Sequence, residues 1–267
     1  MPSNKILLTD MTWPEAAEAR DRDAVVLLPL ASVEPSGRHS VMGGEQHIVE
    51  AFCERVATET GALVMPTIPY GYAPSFMAFP GTVTLEPNTF ADVVYDSVAS
   101  MLKHGFTRVL IINNHSGNNA LVAEVAERVR QTFGRIVASI PLPSVMKEIT
   151  QTNHPDAMKL HGHGGEPGVS IRTYLTPEAM RPDLYEPHEP IRHNGLTFAG
   201  SNVKTAGVTW NFYLNYHETN VHGGSGDGSH PSAELGKQIL EEMIAAGVEI
   251  VRTFSTLETT LPGAKHV

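Results

Sequence analysis

Four short runs rich in aliphatic and β-branched residues alternate with segments of helical period, and this alternation restricts the fold more than any other feature of the chain. The runs are "AVVLLPL" (24–30), "ALVMPTIP" (62–69), "RVLIINN" (108–114) and "RIVASIPL" (135–142). Between and after them, residues 45–59, 88–104, 119–133 and 231–247 place apolar side chains three and four positions apart, as in Val93, Val94, Val98 and Leu102. Strands that are apolar throughout, separated by amphipathic helices, are the pattern of βαβ units around a mainly parallel sheet. In the segment "EPNTFADVV", Asn88 or Thr89 is the expected N-cap, and Gly105 in "KHGF" the expected stop. From about 143 to 230 the pattern is irregular, with no long amphipathic segment except around 165–175. The glycine- and histidine-rich stretches there, "HGHGGE" and "HGGSGDGSHP", read as site-building loops on one domain spanning 1–267 rather than as an interdomain spacer.

Composition excludes several function classes. A formal charge of −10, with no Lys/Arg-rich run, argues against binding a phosphate backbone, so nucleic acid is not an expected partner. No segment approaches the roughly 18 to 20 apolar residues of a membrane span, and the first residues show no cleavable signal pattern. The expected location is the cytoplasm. Cys53 is the only cysteine; its place in "IVEAFCERVA" marks it as a small core residue rather than a nucleophile.

Chemistry concentrates after the strands. The first run is followed by "SVEPSGRHSVMGGEQH", the third by "NHSGNN", and "HGHGGE" lies further on. Imidazole and carboxylate together are the usual ligands of a divalent ion used in hydrolysis. Parallel strands would bring these separate loops to one carboxyl edge. Each residue also has an ordinary structural reading. Glu34 could cap a turn, His115 could orient a neighbour, and Glu45 could be a first-turn carboxylate favoured by the helix dipole. His47 would point about 200° away from Glu45 on a helix of 3.6 residues per turn.

Beyond these local readings, the chain resembles the creatininase family of metal-dependent amidohydrolases almost end to end and in consistent order. "SVEPSGRHSVMGGE" aligns without a gap with a family motif of approximate form S-x-E-Q-H-G-P-H-L-P-L-x-T-D. "FPGT" (79–82), "NNHSGN", "HGGE" (163–166), "GDGSHPSAELG" and the early "TWPEAAEA" match further family segments. The resemblance implies a three-layer α/β/α fold with a mainly parallel central sheet. It also implies a divalent metal at the strand ends, zinc first with manganese or iron as alternatives, and hydrolysis of C–N bonds in small polar, often cyclic, substrates by a homohexamer. By the same resemblance Glu34, Glu45, His115 and Glu166 are the expected metal ligands and His163 the acid/base histidine. His39 is a second catalytic candidate, and Ser36, Ser116, Phe76 and His193 are expected to contact substrate.

The chain departs from the family motif at two ligand positions: Ser36 stands where the family has a histidine and Glu45 where it has an aspartate. A serine hydroxyl does not replace an imidazole in reach or basicity, so one tightly held ion per chain is expected. His39 is then free to meet substrate or to fill the gap. Three alternatives remain open: a C–C hydrolase acting on a cyclic diketone from sugar or inositol catabolism, a small-molecule-binding protein without activity, and an assembly subunit kept for its oligomer surface, which would bind no metal.

Overall fold

The computed structural model describes residues 5–188, 196 and 202–260. Helix α1 (Trp13–Asp21) leads into β1 (Val26–Leu30), followed by α2 (Gly44–Thr60), β2 (Leu63–Val64), α3 (Pro87–Lys103), β3 (Val109–Asn113), α4 (Asn119–Phe133) and β4 (Ala138–Pro141). After these come α5 (Leu142–Asn153), α6 (Pro155–Met158), α7 (Gly168–Leu175), the strand pair β5 (Asn202–Thr205) and β6 (Val208–Asn211), α8 (Tyr216–Thr219) and α9 (Ala233–Thr256). Strands β1 to β4 form one parallel sheet in the order β2-β1-β3-β4, while β5 and β6 pair antiparallel by themselves.

The sheet is the middle of three layers. Val25, Leu27, Leu110 and Ile112 point to one face, where Ile48 and Phe52 of α2, Ile171 of α7 and Ile239, Met243 and Val251 of α9 close over them. The alternate residues Val26, Leu28, Leu30, Val109 and Ile111 meet Phe90, Val94 and Val98 of α3 and Val122, Val125 and Val129 of α4. Burial on both faces is why the strands read as unbroken apolar runs. Cys53 is fully buried in the first of these cores, where burial pushes its thiol well above the usual range. Among the described residues, no helix is long and apolar enough to cross a membrane.

Several sequence expectations are corrected in detail. The second run pairs only at Leu63–Val64, because Pro66 and Pro69 bring no N–H to the ladder; Ile68 still bridges to Leu30. The fourth strand begins at Ala138 rather than 135. α3 starts at Pro87, with Glu86 as N-cap, and neither Asn88 nor Thr89 caps it; a proline at N1 needs no donor there. Gly105, at φ +93°, follows the end of α3 at Lys103 as expected. Residues 142–153, expected to be irregular, form α5, whose Val145, Met146 and Ile149 pack on the first core. The final helix runs on through Gly247 to Thr256, because Gly247 is where Phe52 packs; a Cβ there would lie 2.5 Å from the Phe52 ring.

Register positions the site. Leu30 of β1 lies beside Asn113 of β3, which lies beside Pro141 of β4, so the loops after all three strands leave the same edge together. On that side α7 and α9 cross closely at Gly236, where an added Cβ would sit 2.0 Å from the Ser170 carbonyl oxygen. Gly236→Ala is therefore expected to destabilise the protein by about 1–3 kcal/mol through overpacking against main chain. A urea midpoint unchanged from wild type would contradict this packing.

Candidate active site

The loop after β1 turns back at once, with the Glu34 N–H bonding the Met42 carbonyl at 3.2 Å, and this aims the Glu34 side chain into the protein, where it is 3% exposed. Ser32 Oγ donates to Glu34 Oε2. From the end of β3, His115 Nδ1 approaches the same oxygen at 2.8 Å. The ring is held from its far side, where Nε2–H donates to the Tyr72 carbonyl at 3.0 Å. Asparagines brace the backbone around it. Asn113 accepts from His115 N at 3.2 Å and donates to its carbonyl at 2.9 Å, while Asn118 bonds Asn113 at 3.1 Å and Tyr72 N at 2.9 Å. Gly117 leaves room for this arrangement, since a Cβ there would come within 2.3 Å of His115 Nε2.

Because Nε2 carries the proton given to Tyr72, a neutral His115 presents the Nδ1 lone pair to a carboxylate oxygen. Two acceptors at that distance need a proton or a cation between them. In the protein alone a proton answers. Burial would raise the Glu34 pKa, but His115 and then His163 outweigh it and hold the carboxyl at about 2. His115 rises to about 8, because the attraction of Glu34 overcomes the opposing effect of burial.

The loop 161–168 forms the opposite wall. His163 Nε2–H donates to the Pro35 carbonyl at 2.6 Å and lies 3.9 Å from Glu34 Oε1. Phe76 stacks on the imidazole at 5.0 Å and Tyr216 meets it edge-on at 5.3 Å. Burial pushes the Tyr216 hydroxyl to about 12, and it donates to Ser225 Oγ at 2.8 Å. Glu166 accepts from Ser170 Oγ at 2.6 Å through Oε1, while its Oε2 is buried without a partner. Burial raises the Glu166 pKa. The loop lies main chain to main chain against 223–228, with Ser225 N and Gly226 N both donating to the His163 carbonyl. A Cβ at Gly165 would come within 2.5 Å of Asp227 N.

These groups line one cavity of about 800 Å³. Glu34, Glu45, His115, Glu166 and His163 are all on its wall, as are Phe76 and Ser116. Glu45, expected among the ligands, is engaged elsewhere: Oε1 receives Arg172 Nη2 at 2.5 Å and Oε2 receives Asn114 Nδ2 at 2.9 Å. Two expected residues are not on the wall. Ser36 is buried beneath Gly164, and His39 turns its Nε2 to the Gly164 carbonyl at 2.9 Å, pinning the 161–168 loop from behind. His193 lies outside the described residues. Among the described residues, no three His, Cys, Asp or Glu side chains are gathered as a complete ligand set. Glu34 and His115, in contact at 2.8 Å, are two donors of the kind a divalent cation takes, and Glu166, whose Oε2 has no partner, lines the same cavity. Glu45 does not fit a second, because its charge is already met.

Arg172, Asn114, Tyr72 and Tyr216 were not found from the sequence. Arg172 carried one signal, a single cation in the otherwise apolar and small-residue turn "GVSIRTYL", whose Val169, Ser170, Ile171 and Arg172 are all buried. Tyr72 acts through its main chain, which no side-chain pattern reports.

The chain belongs to the creatininase family: the family model described as creatinine amidohydrolase matches residues 9–251. It is similar to creatinine amidohydrolase of Pseudomonas putida, with 27% identity across 94% of this chain and 97% of that protein. A 3-dehydro-scyllo-inosose hydrolase of Thermotoga maritima shares 29% identity over 39% of this chain and 34% of its own length. Among solved structures, one described as creatininase Mn superposes with a TM-score of 0.80 at 26% identity, covering 95% of this chain and 100% of that one. A mutant creatininase of Zn-Zn type gives 0.79 at 25% identity, covering 96% and 100%.

The Glu34–His115 pair carries a pH dependence whose sign follows from the two shifts. The raised histidine stabilises the fold fully below its ordinary value of 6.5 and loses that contribution as pH rises through about 8. The depressed carboxyl contributes above its ordinary 4.5 and loses its share as pH falls through about 2. In chelator-treated protein the stabilisation is therefore greatest between these ordinary values. Its alkaline limb, on the order of 1–2 kcal/mol, is expected to vanish in His115→Gln. Parallel stability profiles for wild type and His115→Gln between pH 6 and about 9 would refute the pairing.

Proposed function

We propose that this member of the creatininase family hydrolyses a C–N bond of amide or lactam type in a small, polar, cyclic substrate. The observation that carries this reading is the contact of the Glu34 carboxylate with the His115 imidazole, facing His163 across one cavity wall. A divalent ion, zinc first with manganese or iron as alternatives and one per chain, would be held by Glu34, His115 and the free oxygen of Glu166. When bound, it lowers the pKa of a water molecule toward neutrality and polarises a carbonyl.

The remaining work falls to the chain. His115 is fixed in one tautomer by Tyr72, which keeps Nδ1 directed at the site. His163 spends Nε2–H on the Pro35 carbonyl, so Nδ1 is the atom left to take a proton and return it to a leaving nitrogen. Phe76 stacks on that ring and Tyr216 meets its edge, and the two contacts orient the imidazole. Phe76 also offers a flat apolar surface on the cavity wall suited to a small ring, with Ser116 as a polar contact.

A second reading, cleavage of a C–C bond in a cyclic diketone, is favoured by the similarity to the inosose hydrolase. Metal-reconstituted enzyme assayed on both substrate classes separates the two. Turnover of cyclic amides with appearance of an amine is expected, whereas acid release from diketones without amine would replace this reading with the other. A homohexamer in the cytoplasm completes the proposal, supported by the resemblance, by the single buried cysteine and by the exposed Val208, Trp210 and Tyr213 in and beside the β5–β6 pair. Light scattering reporting a monomer at micromolar concentration would remove the hexamer.

Glu34→Gln and His115→Ala are expected to lose activity and metal together, and without metal to give up the stabilisation, on the order of 1–2 kcal/mol, that the pair supplies near neutral pH. His163→Ala should lower kcat by about 10²–10⁴-fold with metal content unchanged. Loss of metal in His163→Ala would reassign that residue from proton transfer to ligation.

A further inference from the structure

Arg172 is the one arginine or lysine among the described residues of the cavity wall, and this chemistry leaves it without a role. Its side chain is 4% exposed. Nη2 lies 2.5 Å from Glu45 Oε1, Nη1 reaches Ser40 Oγ at 3.4 Å, and Nε is buried without a partner. Space for the guanidinium exists only because α2 begins with a glycine: a Cβ on Gly44 would sit 2.2 Å from Nε. Glu45, one residue further on, has its second oxygen bonded to Asn114 at 2.9 Å. The chain thus places a carboxylate in the wall and supplies its counter-charge from α7, with a helix start shaped to admit it.

We infer that the Arg172 guanidinium takes the place of a second cation, so that this chain holds one ion where the relative of Zn-Zn type is described with two. The inference rests on the metal reading above and fixes its stoichiometry in a named residue. A guanidinium remains charged at every accessible pH, and its bond to Glu45 is charge-assisted and screened from water. A second divalent ion would have to displace that bond and then sit beside an unpaired positive charge in a medium of low dielectric constant.

The test is metal content rather than turnover. Wild type, Arg172→Lys, Arg172→Met and the charge-free double variant Arg172→Met/Glu45→Leu are each exchanged into excess Zn²⁺, desalted and analysed for zinc per chain, with melting curves taken at rising Zn²⁺. Wild type, Arg172→Lys and the double variant are expected to hold one equivalent. Arg172→Met, which leaves Glu45 unpaired, is expected to hold two and to gain thermal stability beyond the first equivalent. If Arg172→Met is unfolded without metal, Zn²⁺ should restore its transition.

Two equivalents in wild type would overturn the inference and leave the hydrolase reading standing. An Arg172→Met protein that binds one equivalent, or that zinc fails to restore while the double variant folds, would overturn it as well. Wild type with no zinc at all would sink the metal reading itself, and this inference with it.

Discussion

The parallel pairing of Leu30 with Asn113 is the contact from which the rest of the site is built. It brings the ends of two strands, some 80 residues apart in the chain, into register. With that register set, the loop carrying Glu34 and the turn carrying His115 leave the sheet side by side, and a distance of 2.8 Å between their functional atoms needs only local bracing. A slip of one residue would turn every β1 side chain to the opposite face and mix the two cores, which are sorted strictly by alternation. The apolar layers therefore protect the geometry of the polar edge.

That edge is an exercise in placing charge where water does not reach. Glu34, Glu45 and Glu166 are all buried, and each is treated differently. Glu45 receives a permanent cation, Glu34 a histidine whose protonation responds to conditions, and Glu166 only a serine hydroxyl and a raised pKa. The group left least compensated is the one with an unused oxygen at the cavity wall, which is where an incoming cation or substrate proton gains most.

Much of the fold was legible because the sheet is covered on both faces, so that strands are continuous in apolarity and helices periodic. Where reading failed, short-range rules were overridden. Pro87 started α3 ahead of the expected polar caps, and α9 continued through Gly247 because a phenylalanine needed the space. Carboxylate, imidazole and glycine clustered after strands marked Glu34, His115 and Glu166 as candidates, and the family resemblance supplied their expected roles together with those of His163 and Phe76. The residues that tell Glu45 from Glu34 were not found, since Arg172 lies 127 positions from Glu45 and sits in a short helix that reads as core. His39 matched a motif histidine, yet its side chain bonds the Gly164 carbonyl behind the wall, and the main chain of Ser36, which departs from the motif, packs under the same glycine, a distinction that only packing reveals.

The main-chain seam between 162–165 and 223–228 has a consequence for the nascent chain. Sheet, Glu34 and His115 are complete once β4 has emerged, but His163 is fixed only when Gly223 to Gly228 arrive to bond the His163 and Leu160 carbonyls. In order of synthesis the chain therefore supplies Glu34 and His115 well before the segment that ties down His163.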